Sequence, residues 1–428
     1  MTARLRSPGL GLTADGRALF ATRAARMFAY GSLAVVLVLY LAAVGLSDPQ
    51  IGLVLSLTLA GDTVISLWLT TNADRLGRRR VLIGGAFLMV GAGLVFAVTS
   101  EPVLLLAAAT IGVISPSGNE VGPFLAVEQA ALSQSIPGTL RTHVFAWYNL
   151  VGSVATAIGA LAAGFTAQGL QAAGVGALDS YRAIVVAYAA IGGLLVIGFR
   201  WLSPSVEVHT SPADAAATGG LAGMAPIRAH LGLRRSRGIV LRLSALFSLD
   251  AFGGGLVTQS LMAYWFHLRW GVEPAVLGSI FFGANILAAV SALSASRLAA
   301  RFGLINTMVF THLPSNILLI LVPLMPNLPL AILVLLARFS ISQMDVPTRQ
   351  SYTISVVDPD ERSAAAGVTG IARTTGAAIS PLIAAPLVGT ATLAAVPFFL
   401  AGGLKIAYDL ILYRLFKSRP TPEETARA

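Results

Sequence analysis

Long apolar stretches separated by short polar connections recur from Met27 to Phe416. A bilayer core of roughly 30 Å takes about 20 apolar residues in a helix. The pattern therefore predicts twelve spans, at 26–46, 50–71, 81–99, 102–126, 142–167, 181–201, 239–267, 274–296, 304–325, 328–348, 360–388 and 394–416. Polar punctuation supports several starts. Ser47 or Asp48 can cap span 2 with Pro49 in its first turn, "EPAV" repeats the proline at span 8, and "DPDE" gives span 11 an Asp358 cap, Pro359 and Glu361.

Residues 203–237 break the rhythm, being rich in Ala, Gly, Pro and Ser and then basic. They read as a linker between two six-helix bundles, 26–202 and 238–416, with 1–25 and 417–428 as terminal segments. The halves are related: Gly45, Gly52 and Gly77 have counterparts Gly271, Gly278 and Gly303, each 226 positions on. "GLSDPQIG" answers "GVEPAVLG", and "ADRLG" answers "AARFG". Duplicated six-helix halves are a transporter architecture.

Composition agrees with a bilayer, since 56% of the 428 residues are hydrophobic and only 11% charged, where soluble proteins carry about a quarter. The net charge of +10 is scattered through short connections and is not gathered on a face with aromatics, so no nucleic-acid partner is expected. The absence of cysteine excludes disulfides and thiolate chemistry. Histidines 143, 209, 230, 267 and 312 have no metal-binding spacing, and neither metal nor cofactor is expected. Arg23 and Arg26 before an apolar run ending "AAVG" resemble a signal peptide, but the run is too long and has a repeat partner, so it is read as an uncleaved first span.

Of the 29 basic residues, 24 fall in segments on the side of the termini, five of them before span 1, Arg23 and Arg26 included. Arg182 and Arg269 fall on the other side, and Arg338, Arg373 and Lys405 within spans. This bias places both termini in the cytoplasm, and the expected setting is a multi-pass protein of a prokaryotic inner membrane.

The segment "ADRLGRRR", Ala73 to Arg80, between spans 2 and 3 of a 6+6 chain resembles the signature loop of the major facilitator superfamily. Gly77 permits a tight turn there, Asp74 can accept from Arg78, and the arginines suit anionic headgroups and helix C-termini. The resemblance implies that Asp74, Arg75, Gly77 and Arg78 form a gating latch between the halves, one-sided because the second copy, "AARFGLIN", has Ala300 in place of the acid. A plain topological anchor is the alternative. Two family features are missing, an arginine within span 4 and a "GPxxGG" run in span 5, where Gly152, Gly159 and Gly164 are read as packing sites.

Ionisable residues inside a bilayer cost on the order of 3 kcal/mol and mark functional sites or buried ion pairs. Those expected here are Asp62, Glu120, Glu128, Asp250, Arg338, Asp345, Arg373, Lys405 and Asp409. Lys405 and Asp409, four apart on one helical face, are expected to neutralise each other. Glu128 and Asp345 are placed near solvated inner ends, pairing with Arg349 as an alternative. "ISPSGNEVGPFLAVEQ", Ile114 to Gln129, packs prolines and glycines around Asn119 and Glu120 and is expected to break span 4, with "QMDVPTRQ" echoing it in span 10. Pro381 and Pro386 suggest a further kink in span 11.

These residues give a mechanism. Asp62, Glu120 or Asp250, desolvated in a central cavity, would load and release a proton. Asn119, Arg338 and Arg373 would bind the solute, the arginines attracting an anionic or zwitterionic one. No nucleotide-binding loop is present. The expectation is a monomeric, proton-coupled secondary transporter of a small organic solute in the lipid bilayer, working by alternating access and favouring efflux, and not an enzyme. Uptake symport of an anionic or zwitterionic metabolite, a transporter-fold sensor and a membrane enzyme are the alternatives.

Overall fold

A computed structural model of the protein describes residues 12–136, 140–207, 233 and 235–417. Most of the expected linker and the end of the C-terminal segment lie outside them. Helix makes up 84%, and the described residues contain no strand. The helices are α1 (Ala14–Val44), α2 (Asp48–Thr71), α3 (Ala73–Leu76), α4 (Arg78–Val98), α5 (Pro102–Ile111), α6 (Phe124–Ser135), α7 (Arg141–Ala172) and α8 (Ala177–Arg200). The second half has α9 (Arg237–Gly255), α10 (Gln259–Trp270), α11 (Pro274–Phe302), α12 (Leu304–Leu321), α13 (Leu328–Phe339), α14 (Asp345–Ser355), α15 (Arg362–Gly389) and α16 (Val396–Phe416).

Among the described residues, ten helical runs are long and apolar enough to cross a bilayer. The expected spans 4 and 10 are each split, into α5 with α6 and α13 with α14. Span 7, expected to be continuous, is also interrupted, at residues 256–258 between α9 and α10. Here Thr258 caps α10, its hydroxyl accepting from the Leu261 N–H. Pro381 and Pro386 stay inside one continuous helix, α15.

Chain alternation puts residues 14, 72–77, 201–207, 235 and 416 at one end of the molecule, the terminus face. Residues 45–47, 173–176, 271–273 and 390–395 lie at the far face. At the far face Gln50 accepts from the Ser47 N–H and closes the predicted cap of α2, and α11 starts at Pro274.

The three repeated glycine pairs do equivalent work. Gly45 and Gly271 end α1 and α10 in the left-handed conformation, at φ +99° and +63°. Gly77 and Gly303 turn the chain at φ +91° and +84°, where a side chain would be strained. Gly52 and Gly278 let helices of opposite halves touch: a Cβ on either would meet a carbonyl oxygen at 2.6 Å, of Pro381 on α15 and of Ala160 on α7. In α7, Gly159 and Gly164 serve close packing, since a Cβ there would meet the carbonyl oxygens of Phe28 and Pro274 at 2.0 and 2.3 Å.

Candidate functional site

The first network is built by α1. Thr13 caps this helix by accepting from the Gly16 N–H at 3.1 Å, so it begins well before the apolar run and carries Arg23 and Arg26 into the interior. By position along the chain alone, both read as loop residues. Their residual exposures are 4% and 0%. The Arg26 guanidinium donates to both oxygens of Glu128, at 2.7 Å each, and through Nε to Glu120 at 2.9 Å. Arg23 donates to the other oxygen of Glu120 at 2.8 Å and to Asn149 Oδ1 at 3.4 Å, while the Tyr148 hydroxyl donates to Glu128. Gly152 makes the berth for Arg23, because a Cβ would lie 2.7 Å from its Nε. Glu128, expected at a solvated end, is fully buried instead, and a carboxylate there needs such a fork.

The broken span 4 carries Glu120 in the gap between α5 and α6, as its prolines and glycines predict. Gly118 and Gly122 take φ of +71° and +80°. The freed Gly122 N–H donates to Asp62 Oδ1 of α2 at 2.6 Å, and Ser66 adds a hydroxyl at 2.9 Å. Ser115 donates to the freed Asn119 carbonyl at 2.7 Å, while Asn119 itself is exposed. Glu120 keeps 14% of its side chain accessible, against none for Glu128.

The second network occupies the other half. Asp250 of α9 receives Lys405 Nζ of α16 at 2.5 Å and Arg349 Nη1 of α14 at 3.0 Å, with His312 Nε2 of α12 at 3.7 Å. Arg349 also pairs with Asp345 at 3.0 Å, one helical turn away, which was the alternative foreseen for that acid. Lys405 and Asp409 do not pair. Asp409 is held by His312 Nδ1 at 2.9 Å and Asn316 Nδ2 at 3.0 Å, because α12 packs against α16 and α9 supplies a stronger partner for the lysine. Arg349, counted as a loop residue, is 3% exposed. Arg338 on α13 and Arg373 on α15 differ in that, among the described residues, no carboxylate lies within ion-pairing distance of either; the Nε of each, like that of Arg23, is buried without a hydrogen-bond partner.

At the terminus face, Arg78 Nε donates to Asp74 at 2.9 Å, the contact expected from the signature loop. Arg75 is exposed. Glu207, not foreseen, caps α4 by accepting from the Arg78 and Arg79 N–H groups at 2.7 and 3.2 Å. Its one signal in the sequence is a lone acid just after the sixth span.

The halves join elsewhere. Ser56 accepts from the Leu382 N–H at 3.1 Å, Gln168 from the Ala275 N–H at 3.0 Å, and the Pro116 carbonyl from the Ser260 N–H at 3.1 Å. The Tyr264 hydroxyl donates to Asp48 at 3.3 Å. All of these lie between mid-depth and the far face.

The profile of the Major Facilitator Superfamily matches residues 19–381. The chain is similar to the uncharacterized membrane protein YJR124C of Saccharomyces cerevisiae, at 32% identity over 421 residues, covering 94% of each chain. Among solved structures it is similar to a D-xylose-proton symporter, with a TM-score of 0.71 at 14% identity over 96% of this chain and 98% of that one. A variant of the nucleoside transporter NupG gives a TM-score of 0.71 at 13% identity, over 94% and 100%.

Proposed function

This chain belongs to the Major Facilitator Superfamily, and we propose that it exports a small organic solute across a cell membrane by proton-coupled alternating access. The observation that supports this reading is a pair of buried charge networks, one in each half, with the halves hydrogen-bonded to each other toward the far face. Ionisable groups at membrane depth are maintained where they move a proton or hold a charged solute. The terminus face, rich in arginine, is the cytoplasmic one in this reading. Asp62 and Glu120 carry the proton and Asp250 relays the change of charge in its half. Arg338, Arg373 and Asn119 receive the solute. When the halves rock, Asp74, Arg75, Gly77 and Arg78 close the cytoplasmic side.

The unpaired arginines also favour a second reading, uptake of an anion by symport, since protonating a nearby acid makes the cavity more positive and tightens anion binding. Flux into proteoliposomes under an imposed pH gradient separates the directions, and recovery of the solute chemically unchanged separates transport from enzymatic action. Glu120→Gln is expected to abolish gradient-driven accumulation while leaving solute exchange. Unaltered coupling in this variant would remove Glu120 from the mechanism.

A further inference from the structure

Among the described residues, three interior charged residues have no ion-pair partner. In the first half Arg23 and Arg26 are matched by Glu120 and Glu128. Asp62 is left over, its carboxylate held only by the Gly122 N–H and the Ser66 hydroxyl. In the second half Asp250 and Asp345 are ion-paired with Lys405 and Arg349, and Asp409 is held by His312 and Asn316. Arg338 and Arg373 are left over. One negative charge on α2 and two positive charges on α13 and α15 thus remain unpaired, on opposite halves.

Asp62 and Arg373 lie at similar depth. The bond between Ser56 and Leu382 fixes the register of α2 against α15. From it, at 1.5 Å per residue, Asp62 is about 9 Å and Arg373 about 13 Å toward the terminus face, a difference of less than one turn. Both are only partly covered, on the terminus side of the hydrogen bonds that join the halves.

An unpaired charge at membrane depth is costly until something complementary arrives. An anion would satisfy the arginines and leave Asp62 bare, and a cation would do the reverse. We propose that the solute is a zwitterion, such as an amino-acid-like molecule, whose cationic pole sits on Asp62 and whose anionic pole sits between Arg373 and Arg338. This deepens the transport reading and rests on it. It also sets the sign of coupling. A proton on Asp62 and the ammonium of the solute require the same carboxylate, so each expels the other, and the cycle is an exchange of proton for solute. For a simple anion the linkage would have the opposite sign.

The test uses the full chain in proteoliposomes and in detergent, with matched probes on one carbon skeleton. These are alanine, leucine and phenylalanine, the corresponding 2-hydroxy acids, and the corresponding primary amines. The amino acids are expected to raise the melting temperature and to drive proton movement out of phase with their own, while the hydroxy acids and amines do neither. Asp62→Asn is expected to weaken amino-acid binding on the order of thirtyfold or more, the loss of one partner of a buried charge pair. Asp62→Glu should restore part of it, which separates a lost charge from a misfolded chain. Arg373→Gln should weaken binding similarly. Binding of the hydroxy acids as tightly as the amino acids, or binding that is indifferent to Asp62→Asn, overturns the zwitterion and leaves transport standing. A panel in which no probe binds overturns it too. Absence of any solute-dependent proton flux in the vesicles removes the transport reading as well.

Discussion

At the residue scale, the two networks differ from what the sequence suggests because charge was assigned by position along the chain and not by helical face. Arg23 and Arg26 precede an apolar run and look like topological anchors. The better signal was local: Thr13 with Asp15 in the first turn starts a helix early enough to swing both arginines inward, three residues apart on the face that also bears Tyr30. Arg26 is the single fully buried link between Glu120 and Glu128, so Arg26→Ala leaves an uncompensated carboxylate and should destabilise the protein by about 3–5 kcal/mol. Thermal unfolding in detergent measures this, and adding Glu128→Gln should recover a substantial part. Lys405 gives a sharper check. A double-mutant cycle between Lys405→Met and Asp250→Asn should show coupling above about 1 kcal/mol, while the cycle with Asp409→Asn should show much less. A larger coupling to Asp409 than to Asp250 would mean that the helical i, i+4 pairing inferred from sequence is the real one.

At the element scale, breaks were legible where proline forced them and hidden where glycine merely allowed them. "SPSGNEVGP" contains residues that cannot sustain a helix, so the gap between α5 and α6 was foreseen with its contents. The interruption at 256–258 follows "GGG" and has no proline; its cap, Thr258, looks like any threonine in an apolar run. Pro381 and Pro386 are the converse, tolerated inside α15. The two glycines of the first gap should differ in consequence. Alanine at Gly122 meets both a positive φ and a contact of 2.9 Å with Val113 Cγ1, a strain of about 1–3 kcal/mol. It also moves the N–H that holds Asp62. Gly118→Ala carries a similar φ strain but touches no acid. We expect comparable losses of thermal stability from the two, with proton coupling impaired much more by Gly122→Ala.

At the scale of the whole molecule, the repeat read from glycines proves to be a repeat of contacts: Gly52 on α2 meets α15, and Gly278 on α11 meets α7. One close approach in each half, related by the same 226-residue offset, gives the far face two equivalent seams. Small residues there let backbones touch without side chains to unlock, which suits surfaces that must separate and rejoin. If the halves rock about the mid-depth contacts, a clamp on one seam should stop the cycle without disturbing the networks. The chain has no cysteine, so Ser56→Cys with Leu382→Cys can be joined by a short thiol crosslinker that contains a reducible disulfide, free of background reaction. The closed form should bind solute from the terminus face and fail to transport it, and reduction of the disulfide should restore flux. Full transport with the seam locked would show that the far face does not need to open, and the alternating-access cycle would have to be abandoned for this protein.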